Sequence, residues 1–419
     1  MAYAPILAAI ALAAAPSFLF AFAPEISPRP QLRISAKNPL VVNAATSNRA
    51  FDRWISGFRA RAQANGISTK VLDAALRDIR YRTDVIERDR NQSEFTKQIW
   101  DYLDSAVSET RVRNGRAALR EHKRLLAEIE ARYGVEAEVV TAVWGLESAY
   151  GDYRGDTPVI PALATLAFDG RRGRFFEEQL IAALKIIQSG DVRPSDMKGS
   201  WAGAMGHTQF IPTSYLAYAQ DFRGDGQRDI WSDDPTDALA STAAYLSRFG
   251  WTKGQPWGVE VSLPRGFDYG QTGEKIKKGP ADWARLGVRD MRGQQIPNYG
   301  RASILLPAGA QGAAFMIFDN FHVIERYNAA DAYVIGVGYL SDRIAGGGEL
   351  RAAWPRGDRN LRFSEKQEMQ RRLTRAGYNT AGVDGIIGPN TIAAIRAFQR
   401  AEGLAPDGYA SYEILRRLR

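Results

Sequence analysis

A lone carboxylate stands in the otherwise apolar stretch Val-Val-Thr-Ala-Val-Trp-Gly-Leu-Glu-Ser-Ala-Tyr-Gly, residues 139–151. Val140, Val143 and Glu147 follow at intervals of three and four, which puts Glu147 on the apolar stripe of a helix rather than its solvated face. Among Val, Trp and Leu side chains the charged form of a carboxyl is disfavoured and its pKa rises. Under that condition a glutamate donates a proton near neutral pH. A structural glutamate at a helix end fits the same pattern, so the segment needs a second witness.

Residues 199–215 supply one: Gly-Ser-Trp-Ala-Gly-Ala-Met-Gly-His-Thr-Gln-Phe-Ile-Pro-Thr-Ser-Tyr. Small residues alternate there with Ser200, Gln209 and Ser214, a composition that lets backbone approach a ligand closely. Together with Glu-Ser-Ala-Tyr-Gly at 147–151, this segment resembles the lytic murein transglycosylase B family. Glu-Arg-Tyr-Asn at 325–328, followed by Tyr333, resembles the family's third element. The three elements lie in the family's order across residues 49–345. The resemblance implies a lytic transglycosylase, a carbon–oxygen lyase acting on the polysaccharide of the bacterial cell wall.

Glycosidases ordinarily flank the scissile bond with two carboxylates. Here only Glu147 qualifies, because Asp152 and Asp156 lie beyond Gly151 in what reads as loop. One carboxylate suits an intramolecular reaction, and the resemblance implies which. Glu147 protonates the oxygen between N-acetylmuramic acid and N-acetylglucosamine, then takes the proton of the muramic C6 hydroxyl as it attacks C1. A 1,6-anhydro sugar forms and no water is consumed. By the same resemblance Ser200 and Gln209 line the sugar cleft, with Tyr327, Asn328 and Tyr333 as further substrate-binding residues. Core packing is the competing reading of Tyr333. His207 and Thr208 replace a pair that often includes an aromatic residue in the family, and His207 reads as cleft-lining rather than as a base. Two other function classes stay open: a lysozyme-type hydrolase with water as acceptor, and a non-catalytic wall-binding scaffold.

Positioning these residues falls mainly to helices. Phe51, Trp54, Ile55 and Phe58 follow helical spacing, as do Val71, Leu72, Ala75, Leu76 and Ile79, and helices continue through Leu125–Ile129 and again over 175–187. After Trp251 the pattern changes: residues 259–263 alternate, Pro and Gly become frequent, and Ser303–Leu306 and Phe315–Phe318 read as short strands. The expected fold is therefore mainly α (α+β), with a helical core over 49–345 and a β-rich insertion at about 252–310; the family resemblance makes that core lysozyme-like. Residues 346–360 read as a linker.

Beyond it, Val-Asp-Gly-Ile-Ile-Gly-Pro at 383–389, Phe398-Gln399 and Asp407-Gly408 resemble the peptidoglycan-binding-domain-1 family. A small three-helix unit over 361–419 is implied, with Met369 and Leu373, then Ile392, Ile395 and Phe398, each on one helical face. That unit holds ten Lys/Arg and six Asp/Glu, a net of +4 against +8 for the whole chain. Half the excess charge on so short a segment suits docking on an anionic polymer. A solvated helical domain without ligand is the plainer alternative.

Composition bounds the rest. With no cysteine, disulfides, thiolate catalysis and a lipidated N-terminal Cys are excluded, and three unclustered histidines argue against a zinc site. No basic, aromatic-interleaved segment points to nucleic acid. Residues 4–23 are uncharged and apolar, with Ala21-Phe22-Ala23 as a cleavage-like site, so 1–23 reads as a signal peptide in preference to an uncleaved membrane anchor, and 24–48 as a linker. The expected location is the periplasm, with inner-membrane anchoring as the rival, and the expected state is a monomer acting on glycan strands. No cofactor is expected. Asp221, Asp225 and Asp237 sketch a calcium loop, but Arg223 stands where a ligand is needed and Ser232 where the closing Glu belongs. A metal-free turn held by Asp–Arg pairing is expected.

Overall fold

The computed structural model describes residues 44–91 and 98–419. The expected signal peptide over 1–23 lies outside them. Among the described residues no helix is long and apolar enough to cross a membrane.

The helix Ala137–Ser148 is apolar nearly all round, and a helix of that kind must be surrounded. It packs against Glu109–Glu121, Lys123–Tyr133, Thr236–Arg248 and Asp331–Ile344. Val139, Val140 and Trp144 enter one hydrophobic core, built with the helices Val159–Asp169 and Gly173–Ser189. Ala142 and Val143 enter a second core, with Val334, Val337 and Phe321. Val140 and Val143, taken from the sequence as one stripe, thus face different cores. Tyr327 packs against both.

Close approach in the second core depends on glycine. Gly338 leaves the notch that holds the Trp257 ring, and a Cβ there would collide with it. Trp257 Nε1 in turn donates to Asp342 Oδ2 at 2.9 Å. Gly338→Ala is expected to destabilise the protein by about 1–3 kcal/mol through overpacking, readable as a lowered Tm. An unchanged Tm would mean that the ring relocates freely.

The β-rich part is one antiparallel sheet. A short pair comes first in the chain, β1 (Thr157–Pro158) with β2 (Lys198–Gly199). The sheet itself comprises β3 (Gly258–Ser262), β4 (Arg289–Asp290), β5 (Ser303–Leu305) and β6 (Ala314–Ile317), in the order β4-β3-β6-β5. The insertion therefore runs past 310 to 317, because β6 is the inner strand that pairs with both β3 and β5. Trp283, fully buried, closes its core and donates Nε1 to the Ala302 carbonyl at 2.8 Å.

Three helices, Phe363–Arg375, Pro389–Ala401 and Tyr412–Leu418, make the C-terminal unit around Met369, Leu373, Ile395 and Phe398. Pro389 opens the second helix, where its missing N–H costs nothing, and Ser411 caps the third by accepting from the Ile414 amide at 3.1 Å. The stretch 346–360 is not a free tether. The amides of Arg351 and Ala352 donate to Glu260 at 2.9 and 2.7 Å, and Arg356 pairs with Asp104 at 2.7 Å. Asp407 then accepts from the Ala310 amide at 2.7 Å, so the unit rests on the insertion. Its Gly and Pro content read as flexibility; the partners that pin it are distant in sequence.

Candidate active site

Glu147 sits in the last turn of the Ala137–Ser148 helix. Beyond it Ala149 and Tyr150 adopt left-handed φ values of 52° and 66°, so the chain turns away at once. Such a conformation costs an L-residue roughly 1–2 kcal/mol. It is held by the Ala149 amide on the Gly145 carbonyl at 3.1 Å and by the Tyr150 hydroxyl on the Arg111 carbonyl at 2.8 Å. Gln209, at φ 54°, carries the same strain. Of the five non-glycine residues with positive φ among those described, three thus lie in the two segments singled out from sequence.

A closed ring of contacts joins the three segments. Tyr333 donates its hydroxyl to Glu147 Oε1 at 2.6 Å. Its ring lies nearly parallel to that of Tyr327, centroids 6.5 Å apart. Tyr327 donates to the Thr208 carbonyl at 2.6 Å, and the neighbouring His207 carbonyl accepts from Ser148 Oγ at 2.5 Å, which returns the path to the residue after Glu147. Tyr333 is buried and also packs in the second core, so the packing and site readings hold together.

Burial raises the Glu147 carboxyl to about 7, against a partial lowering by the Tyr333 hydroxyl. No charged neighbour contributes among the described residues. A carboxyl raised from 4.5 to about 7 adds stability while protonated, in full below about 4.5, and loses it as pH climbs through 7. Glu147→Gln carries no such titration. At pH 8 it is expected to exceed the parent in stability by roughly 3 kcal/mol relative to the difference at pH 4, the free-energy equivalent of that shift. Denaturant melts of both proteins at the two pH values check this; parallel curves would remove the buried-acid assignment.

The predicted cleft residues are placed differently from one another. Ser200 Oγ accepts from the Ala204 amide at 3.0 Å, shaping its own turn. Gln209 Nε2 donates to the Gly206 and Arg154 carbonyls at 2.9 and 3.0 Å, locking the strained loop. Asn328 Oδ1 accepts from the Ala330 amide at 3.1 Å, at the start of the helix that carries Tyr333. His207 lines the pocket formed with Trp144, Tyr150 and Arg154, with little of its own surface exposed. Its Nδ1 accepts from Trp144 Nε1 at 3.1 Å and its Nε2 lies 2.7 Å from the Ser232 carbonyl, an arrangement that one neutral tautomer satisfies. Burial lowers its pKa accordingly. Arg154, not recognised from sequence, donates to the Ser232 carbonyl at 2.6 Å and pairs with Asp233 at 2.7 Å. Its partners lie nearly eighty residues away, beyond any local spacing signal.

In the acidic loop Asp221 accepts from the amides of Gly224, Asp225 and Gly226 at 2.6–3.1 Å. Asp237 accepts from Phe222 and Asp229, both at 2.9 Å. Arg223 pairs with Glu128, and Arg228 with Asp191. Backbone amides, rather than Asp–Arg pairs within the loop, hold this turn.

A strained helix end thus presents one desolvated glutamate inside a mostly helical domain. The transglycosylase SLT domain family matches residues 50–342, and the peptidoglycan binding domain family matches 364–418. The chain belongs to this family of lytic transglycosylases. It is similar to SltB3 from Pseudomonas aeruginosa, solved in complex with NAG-anhNAM-pentapeptide: 49% identity, TM-score 0.85, covering 88% of this chain and 99% of that one. The Escherichia coli lytic transglycosylase Slt35, solved in complex with calcium, is 30% identical with a TM-score of 0.60, covering 72% and 94% of the two chains. The membrane-bound lytic murein transglycosylase B of E. coli is 34% identical over 251 residues, which span 58% of this chain and 66% of that protein.

Proposed function

We propose that this protein cleaves the MurNAc-β-1,4-GlcNAc bond of peptidoglycan with formation of 1,6-anhydro-MurNAc ends, for wall remodelling or turnover. The observation that carries the reading is Glu147: about half protonated at neutral pH, oriented by one hydroxyl, and with no charged group contributing to its shift among the described residues. Such a group donates to the leaving oxygen and then accepts the C6 proton without a partner base. Tyr333 orients Glu147 through its hydroxyl with Tyr327 stacked on it, while Ser200, Gln209 and Asn328 hold the backbone of the substrate-binding segments. The site is assembled within one chain, in keeping with a monomer. The substrate places the enzyme outside the cytoplasm, in the periplasm, and membrane attachment would rest on the N-terminal segment. In the Asp221–Asp237 loop Arg223 occupies a position where a calcium cage needs an oxygen ligand, and it pairs with Glu128 instead, which favours a metal-free turn.

Digestion of purified glycan strands tests the reaction: products one water lighter than hydrolytic ones, without reducing ends, are expected. Reducing ends formed in proportion to cleavage would replace the reading with hydrolysis. The basic C-terminal unit is the wall anchor in this scheme. Removing 361–419 is expected to weaken retention on insoluble wall severalfold while soluble fragments are still cut, as sedimentation with sacculi measures.

A further inference from the structure

The three histidines are scattered in sequence, yet folding gives one of them company. His322 Nδ1 lies 3.0 Å from Glu325 Oε2, one turn along the same helix, and 4.0 Å from Glu274 Oε2 of the β-rich insertion. One ligand atom from each of the three falls within 4.8 Å of the others, and all three side chains are half-buried. Asp331, at the start of the Asp331–Ile344 helix, lies beside the cluster. Its carboxyl is driven up to about 7 by burial and by Glu274 and Glu325, against a lowering by His322. Three carboxylates thus crowd one imidazole. Lys277, one obvious source of relief, is engaged with Asp319 at 2.7 Å.

We propose that Glu274, His322 and Glu325 bind one divalent transition ion of the zinc class. An imidazole nitrogen with carboxylate oxygens is a donor set that suits Zn2+ and gives Ca2+ or Mg2+ no advantage. The i, i+3 pair on the Asp319–Tyr327 helix supplies two ligands from one rigid face. Glu274 is held from behind, since its carbonyl accepts from Ser303 Oγ at 2.7 Å. The ion would fasten the insertion to the helix that carries Tyr327, and none of these groups contributes to the Glu147 shift. It acts as a staple and takes no part in bond cleavage.

Isothermal titration of the chelator-treated full chain with Zn2+, and in parallel with Ca2+, tests the site. One Zn2+ per chain is expected, with Ca2+ much weaker, and with the Zn2+ Kd raised on the order of tenfold or more in both His322→Ala and Glu274→Gln. Circular dichroism confirms that each variant is folded, and the near-isosteric Glu274→Gln guards against loss of structure in the other. Zinc-dependent protection against thermal unfolding should vanish in the same two variants. Absence of stoichiometric Zn2+ binding, or a Kd unchanged in both variants, overturns the assignment.

Discussion

Glu147→Gln is expected to lose cleavage by about a thousandfold or more while the protein stays folded and still binds glycan, because an amide can neither donate nor retrieve the proton. The substitution is nearly isosteric, and the amide oxygen still accepts from the Tyr333 hydroxyl that now holds Glu147 Oε1 at 2.6 Å. The contact ring through Tyr327, Thr208 and Ser148 therefore survives. Turnover on purified sacculi, beside a binding measurement with the same material, separates loss of chemistry from loss of affinity. Turnover within tenfold of the parent would place the acid on another residue. A fall in binding that matches the fall in turnover would make Glu147 a binding group instead.

The second large effect is the partition between acceptors. If Glu147 works alone, no base is in place to activate water, and the tethered C6 hydroxyl has the advantage of intramolecularity. Effective molarities of about 10⁵ M or more for well-oriented tethered groups far exceed the concentration of water. Digestion in water enriched with the heavy oxygen isotope should leave newly formed muramic ends unlabelled and in the anhydro form. Incorporation of the label at most ends would require a positioned water and a base. Asp331 and Asp342, the other carboxyls raised into the range of about 6 to 7 by burial, would be the first to examine. Neither acts on Glu147: Asp342 accepts from Trp257, and Asp331 faces Glu274 and Glu325.

Much of this molecule was legible before folding was considered. A run of Val, Ala, Trp and Leu broken by one Glu can form only a surrounded helix, so the desolvation of Glu147 was inherent in its neighbours. The helix periods at 51–58 and 369–373, and the alternation at 259–263, likewise declared their elements, because local periodicity is set by the geometry of the element itself. The donor to Glu147 was not legible in that way. Tyr333 lies 186 residues away, and no local pattern relates the two. The two cores decided that it meets Glu147, and the left-handed turn at Ala149 and Tyr150 decided where the carboxylate ends up. His207 shows the same boundary from the other side. It read as a cleft-lining residue and lines a pocket, but its partners, Trp144 Nε1 and the Ser232 carbonyl, lie beyond any local spacing signal. The stretch 346–360 was read as a linker from its Gly and Pro content, yet Glu260 and Asp104 pin it. Sequence determines what each segment can bury and which chemistry it carries, since those follow from neighbours within a turn or two. Which carboxylate meets which hydroxyl, amide or imidazole is decided by packing, where hydrogen bonds and charges form between groups that local spacing cannot relate.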